Sequence, residues 1–326
     1  MNRVLVTGGA GTIGGAVVRR LLRDPAFEVR VSDQRRAPQW MREGCEIHEG
    51  DLRQTGEARR AMQGCSHVIH LAALVGGIGT AHALPHTLLE VNSALSATVI
   101  RAALDQAAER FVYVSSAAVF ERATEFPTTE RHLADVPVPH SAYGFSKLAG
   151  EVQVTAARDE HGLPSTICRP FSAYGPGERP EDEPGVAHVI PDLIKKCLEI
   201  AQAGGGGRLP VFGDGTQTRT FTHVDDIADG IVTAMASPAG LHEDFNIAAG
   251  QETSIDELAR IVWTACGLDA GALEIEHLPA YELDVQRSFP SVAKAKDLLG
   301  WEAGIGIEEG VARTVAWLRD ALPAAA

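Results

Sequence analysis

The stretch that most limits what this chain can become is VLVTGGAGTIGG, residues 4–15, where a β-branched run ends in a GxxGxxG spacing of Gly8, Gly11 and Gly14. A strand that passes into a helix over such glycines makes a tight turn, and the bare positions let backbone N–H groups come close to a ligand. The helix opened by Thr12 and Ile13 presents its positive end at the same place, so the pattern predicts a seat for a pyrophosphate. Asp33 closes a second β-branched run 19 residues after Gly14. From there a carboxylate accepts hydrogen bonds from the adenosine ribose and repels a 2′-phosphate, which predicts NAD. Arg35 and Arg36 follow at once and could attract that phosphate, so NADP stays open.

The rest of the chain agrees with a sheet covered by helices. Strands are expected at RVLVT, EVRVS, HVIHL, RFVYVSS and STICRP, with helices at Ile13–Leu22, in a long run ending near Ala108, and from Tyr143 to about Glu160. Alternation of this kind gives a parallel α/β sheet. The expected fold class is therefore α/β, a Rossmann-type doubly wound parallel sheet with a smaller, mostly helical C-terminal unit. Residues 1–170 form the first unit, FTHVDDIADGIVTAM and FNIA (within 219–248) return to it, and 171–218 with 249–326 form the second. The segment AGGGGR reads as a connector, because no Lys-Ser/Thr follows it as a phosphate-binding loop requires.

Bulk properties narrow the partners. Asp plus Glu number 43 against 29 Lys plus Arg, and a net charge of −14 disfavours nucleic acid and anionic membranes. Any anionic ligand must be held by individual arginines or backbone amides. The five cysteines are odd in number and widely spaced, with no CxxC, as suits reduced thiols rather than disulfides or zinc. With neither a secretory leader pattern at the N-terminus nor a run of about 20 apolar residues, the expected location is cytoplasmic. His82 and His86 have metal-ligand spacing but no third ligand nearby, so no metal is expected.

In SAYGFSKLAGE, Tyr143 and Lys147 are four residues apart and share a helix face. A fixed ammonium beside a phenol is expected to lower its pKa from about 10 and so let it exchange protons with a substrate hydroxyl.

Taken in order, TGGAGTIG, GDL, HLAA, SSAAVF, YGFSK, RPFSAYGPG, RTFTHVDD and LGW resemble the extended short-chain dehydrogenase/reductase family, in its nucleotide-sugar epimerase/dehydratase branch, over nearly the whole chain. The resemblance implies an enzyme acting on a nucleotide-diphosphate sugar, with 171–218 and 249–326 as the substrate-binding domain and a homodimer as the usual assembly. By the same resemblance Asp51 and Leu52 border the adenine, and Leu71, Ala72 and Ala73 line the cofactor. Ser116 bonds the reacting hydroxyl, Tyr143 is the acid/base, and Lys147 holds the nicotinamide ribose. Arg219 grips the substrate diphosphate, a role that suits a bidentate guanidinium. Ser172 stands where many relatives have asparagine, while Phe120 and Glu121 replace a Tyr-Gly pair. His188 matches a second acid/base of GDP-fucose synthase. Ala117 and Ala118 occupy the places of the Asp-Glu pair of the 4,6-dehydratases, and Ala118 also that of the cysteine used by GDP-fucose synthase and GDP-mannose 3,5-epimerase.

With those groups gone, the simplest surviving reaction is C4 epimerisation through a transient 4-keto sugar, as in UDP-glucose 4-epimerase. An NADPH-dependent 4-keto reductase like GDP-fucose synthase and a 3,5-epimerase-like enzyme are the alternatives. A non-catalytic NAD-binding regulator is the alternative outside enzymes, although such proteins commonly lose the Tyr or Lys retained here.

Overall fold

Val4, Leu5 and Val6 are all buried, as a strand covered by helices on both faces requires, and they alternate between two separate cores. The computed structural model describes residues 2–76, 83–181, 187–282 and 284–321. Its strands are β1 (Asn2–Thr7), β2 (Phe27–Asp33), β3 (Glu46–Glu49), β4 (His67–His70), β5 (Arg110–Val114), β6 (Ser165–Pro170), β7 (Ala173–Tyr174), β8 (Arg208–Phe212), β9 (Thr218–Arg219), β10 (Thr222–His223), β11 (Asp244–Ile247), β12 (Thr253–Ser254), β13 (Glu274–Leu278) and β14 (Arg287–Ser288). Seven of them make one parallel sheet in the order β11-β6-β5-β4-β1-β2-β3. Strand order reverses at β1, which pairs with both β2 and β4, and the crevice beyond the carboxyl ends there is where such sheets bind ligands.

The helices are α1 (Thr12–Leu21), α2 (Gln39–Gly44), α3 (Thr55–Met62), α4 (Pro85–Asp105), α5 (Ala142–His161), α6 (Val189–Gln202), α7 (Val224–Ala236), α8 (Ile255–Ala265), α9 (Ala293–Leu299) and α10 (Ile307–Ala321). On one face of the sheet Val17, Leu21, Ile227 and Ile231 of α1 and α7 cover Val4, Val6 and Val112. On the other face Met62, Leu95, Val99 and Val154 of α3, α4 and α5 cover Leu5, Val68 and Phe111. The α5 helix can lie close to β5 because Gly150 has no side chain; a Cβ there would meet the Tyr113 hydroxyl at 1.9 Å.

A third core joins α6, α8 and α10 through Ile194, Cys197, Leu258, Trp263, Val311 and Leu318, and β8 pairs with β13 beside it. The expected boundary assigns all of 249–326 to this unit, but Ala295 of α9 and Trp301 belong to the sheet core. The Trp301 indole occupies the space left by Gly230 on α7, where a Cβ would lie 2.9 Å from the ring. β3 was not foreseen: EIHE is short, lies at the sheet edge and has no fully buried residue to announce it.

Candidate active site

The glycine turn has the form its spacing predicts. Gly8 adopts φ +70°, and a Cβ there would meet the Ala72 amide nitrogen at 2.8 Å. A Cβ on Gly14 would stand 2.2 Å from the Gly8 carbonyl oxygen, so the first turn of α1 can rest against the loop only if that position is bare. Gly11 caps α1 without a side chain, and no acidic residue lies in the helix's first turn, so its amides and positive end are free for an anion. Asp33 holds this loop: its Oδ2 accepts from the Ala10 amide at 2.9 Å and its Oδ1 from the Arg35 amide at 2.8 Å. The Arg35 Nε lies 3.6 Å from Asp33 Oδ1, and its guanidinium stands over Gly11. Bare cradle, uncapped helix start and carboxylate at the tip of β2 together fit NAD.

Thr7 joins the turn to the neighbouring strand. Its hydroxyl oxygen accepts from the Leu71 and Ala72 amides, both at 3.1 Å, and lies 2.7 Å from His70 Nδ1. Burial holds His70 down at about 3, with the Lys147 charge adding to the effect, so this imidazole is neutral. Ala73 leads to Leu74, whose amide and carbonyl both bond the buried Asn92. Leu52 is buried, with its carbonyl accepting from Thr98 at 2.6 Å. Arg53 grips Asp51 at 2.6 Å and holds its carboxyl below the usual range.

Ser116, Tyr143 and Lys147 come together where β5 meets α5. Ser141 caps α5, its hydroxyl accepting from the Gly144 amide at 2.9 Å, and Glu121 in turn accepts from the Ser141 amide and hydroxyl at 2.7 and 2.6 Å. Glu121 thus anchors the helix that carries Tyr143. Ser146 donates to the Tyr143 carbonyl at 2.7 Å and accepts from Asn92 at 3.1 Å. The Lys147 Nζ donates to the Val114 carbonyl at 3.0 Å and lies 5.9 Å from the centre of the Tyr143 ring. Burial lowers Lys147 to about 8, against the opposing pull of Glu151.

The expected lowering of Tyr143 by this ammonium is not what the structure shows. Burial pushes the phenol upward, and the Ser116 hydroxyl offsets this in part by hydrogen bonding. The ammonium is spent on the Val114 carbonyl, and desolvation of the phenolate outweighs its field.

The residues expected on the substrate side are more dispersed. Ser172 has φ +34° and its carbonyl accepts from Thr222 at 3.2 Å. Arg219 is mostly buried and pairs with Asp284 at 2.7 Å, also donating to the Thr218 carbonyl at 2.8 Å. His188 is half exposed at the start of α6, with Nδ1 2.5 Å from Glu178. Partial burial opposes its charge, but the Glu178 carboxylate prevails and raises its pKa. Gly177, one residue before Glu178, touches the start of α1: a Cβ there would meet Thr12 Cα at 3.3 Å. Among the described residues no cluster of three or more metal-binding side chains exists, and His82 lies outside them. No described helix is long and apolar enough to cross a membrane.

Sequence reasoning singled out Glu121 only as a replacement beside the pocket, without its bonds to Ser141, and missed Asn92 and Glu151. Of these two only Glu151 carried a signal, as the next i+4 position after Lys147.

The geometry has close parallels. Residues 4–248 match the model of the NAD dependent epimerase/dehydratase family. The chain is 30% identical to a UDP-glucose 4-epimerase of Mycolicibacterium smegmatis, covering 98% of this chain and 99% of that one. It is 29% identical to a probable GDP-L-fucose synthase of Oryza sativa subsp. japonica, covering 97% and 92%. The crystal structure of a Thermotoga maritima UDP-glucose 4-epimerase with UDP-glucose superposes with a TM-score of 0.85 at 28% identity, covering 98% and 99%. A glycine cradle at the switch point, facing a Tyr-Lys helix on a seven-stranded parallel sheet, thus places this chain in the NAD dependent epimerase/dehydratase family of enzymes.

Proposed function

We propose that this enzyme inverts C4 of a nucleotide-diphosphate sugar through a transient 4-keto sugar. The observation that carries the reading is the pairing of a complete Ser116-Tyr143-Lys147 set with alanine at both following positions, Ala117 and Ala118. Neither alanine can move a proton to or from carbon, so chemistry at C3, C5 or C6 lacks a partner in this turn, whereas C4 chemistry needs only a group that takes and returns one hydroxyl proton.

Bound NAD supplies a reversible hydride acceptor. Tyr143 takes the 4-hydroxyl proton and returns it after the keto sugar has turned over, while Ser116 orients the oxygen. Burial disfavours the charged form of both Tyr143 and Lys147, so the phenolate that takes the proton is the minor form of Tyr143, with the Ser116 hydroxyl bonded to it and the Lys147 ammonium 5.9 Å from its ring centre. Gly8, Gly11, Thr12, Ile13 and Asp33 seat the cofactor, with Asp51, Leu52, Leu71, Ala72 and Ala73 along its flank and Lys147 at the nicotinamide ribose. On the substrate side Arg219 meets the diphosphate, bounded by Ser172 and His188. Phe145 and Val152, exposed apolar residues on α5, support a homodimer.

A second reading, a 4-keto sugar reductase using NADPH, draws on the Glu178-supported His188 and on Arg35 beside the glycine turn. Incubating the purified enzyme with UDP-, GDP- and dTDP-sugars separates them. An epimerase interconverts C4 epimers with no added cofactor and no net change at 340 nm, and Tyr143→Phe abolishes this. Net oxidation of NADPH on a 4-keto sugar would select the reductase. Full turnover by Tyr143→Phe would refute both.

A further inference from the structure

We infer that Glu151 is a positioning residue of the proton-transfer site, clamping the end of β5 to α5 and supplying the buried counter-charge of Lys147. This rests on the reading of Tyr143 and Lys147 given above. Tyr143, Lys147 and Glu151 follow one another at four-residue intervals and so line one face of α5. Three consecutive residues at the end of β5 answer them one by one. The Val114 carbonyl accepts from Lys147 at 3.0 Å, the Ser115 hydroxyl donates to Glu151 at 2.5 Å, and the Ser116 hydroxyl faces the Tyr143 phenol. Ser115 is the middle contact, so loss of the Glu151 carboxylate frees the strand end between the two residues that hold the catalytic pair.

Glu151 is 4% exposed. Arg169 from β6 donates to both its oxygens, Nε at 2.8 Å and Nη2 at 2.7 Å. A simple ion pair would then leave little field for Lys147, but Arg169 is shared: its Nη1 donates to Asp244 on β11 at 2.7 Å. Lys294 closes the chain, lying 2.5 Å from Asp244 and 2.9 Å from Glu243. Lys147, Arg169 and Lys294 therefore alternate with Glu151, Asp244 and Glu243, and the buried end of the row balances only with Glu151 in place. The other groups facing Lys147 are Tyr143 on its own helix, Tyr113 on β5 with its ring centre 5.5 Å away, and the neutral His70 on β4. None of these is an anion at neutral pH, so the carboxylate that keeps the ammonium charged against desolvation is Glu151.

The test compares Glu151→Gln and Ser115→Ala with the parent enzyme in NAD-saturated assays from pH 6 to pH 9. Removing the anion lowers the Lys147 pKa, so the alkaline limb of kcat in Glu151→Gln moves toward acid by about one pH unit. Turnover then falls about tenfold at pH 9 and hardly at all at pH 6 from this cause. Ser115→Ala keeps the charge and loses the clamp, so its kcat falls by the same factor at every pH. In the NAD-free protein, the Lys147 side-chain NMR signal, identified by its loss in Lys147→Arg, titrates about one pH unit lower in Glu151→Gln. Should Glu151→Gln not fold, Glu151→Asp retains the charge at shorter reach and shows the parent limb with reduced kcat. A Glu151→Gln profile parallel to that of the parent, or an unmoved Lys147 signal, overturns the inference. Failure of the underlying reading is distinguishable, since it appears as turnover by Tyr143→Phe.

Discussion

Replacing Lys147 by methionine should reveal how much stability the enzyme gives up to keep an ammonium in its interior. Lys147 is 5% exposed, and burial lowers its pKa from 10.5 to about 8. That displacement of roughly 2.5 pH units corresponds to ~3 kcal/mol at 1.36 kcal/mol per unit. The unfolded chain holds this proton up to about pH 10.5 and the folded chain only to about 8. Between those values the unfolded state binds more protons, and the parent's stability rises with pH on account of this residue. Below pH 8 the parent carries the full penalty, and above pH 10.5 none of it. Methionine has no such term at any pH, but it leaves the Val114 carbonyl without its donor, a pH-independent loss of about 1–3 kcal/mol. Lys147→Met should therefore be close to the parent in stability at pH 7 and fall behind it by ~3 kcal/mol more on going to pH 10.5. Urea unfolding of the nucleotide-free pair at pH 7, 8.5 and 10 measures this as a double difference, in which titrations common to both proteins cancel. A stability gap that stays constant within about 1 kcal/mol across that range would refute the claim that folding strips the Lys147 proton.

Two packing predictions follow from the glycines. Gly14→Ala places a methyl 2.2 Å from the Gly8 carbonyl oxygen, so the turn and the start of α1 must part by about an ångström. NAD affinity, measured by calorimetry on nucleotide-free protein, should fall at least tenfold, and unchanged affinity would show that the loop does not seat the cofactor. Gly150→Ala meets the Tyr113 hydroxyl at 1.9 Å and should cost about 1–3 kcal/mol of stability. Combining it with Tyr113→Leu should cost less than the two single losses added together, as measured by a denaturation double-mutant cycle.

The outline of the molecule was legible because its signals are local. A β-branched run read over five residues, a glycine triplet and a carboxylate at fixed spacing each act through backbone geometry within one turn or strand, and β1, α1 and β2 lie where that reading puts them. The i, i+4 relation of Tyr143 and Lys147 likewise belongs to a single helix. β3 escaped notice because an edge strand of four residues buries too little to impose alternation.

What tertiary structure alone decided is the state of the charges, because that depends on which distant segments converge and how completely they exclude water. Arg169 and Asp244 are 75 residues apart along the chain, Arg219 and Asp284 are 65 apart, and no spacing rule joins them. The direction of the Tyr143 shift has the same origin. Sequence supplies the neighbouring ammonium, but the balance between its field and the desolvation of the phenol is settled only when β5, Ser116 and α5 close around the ring.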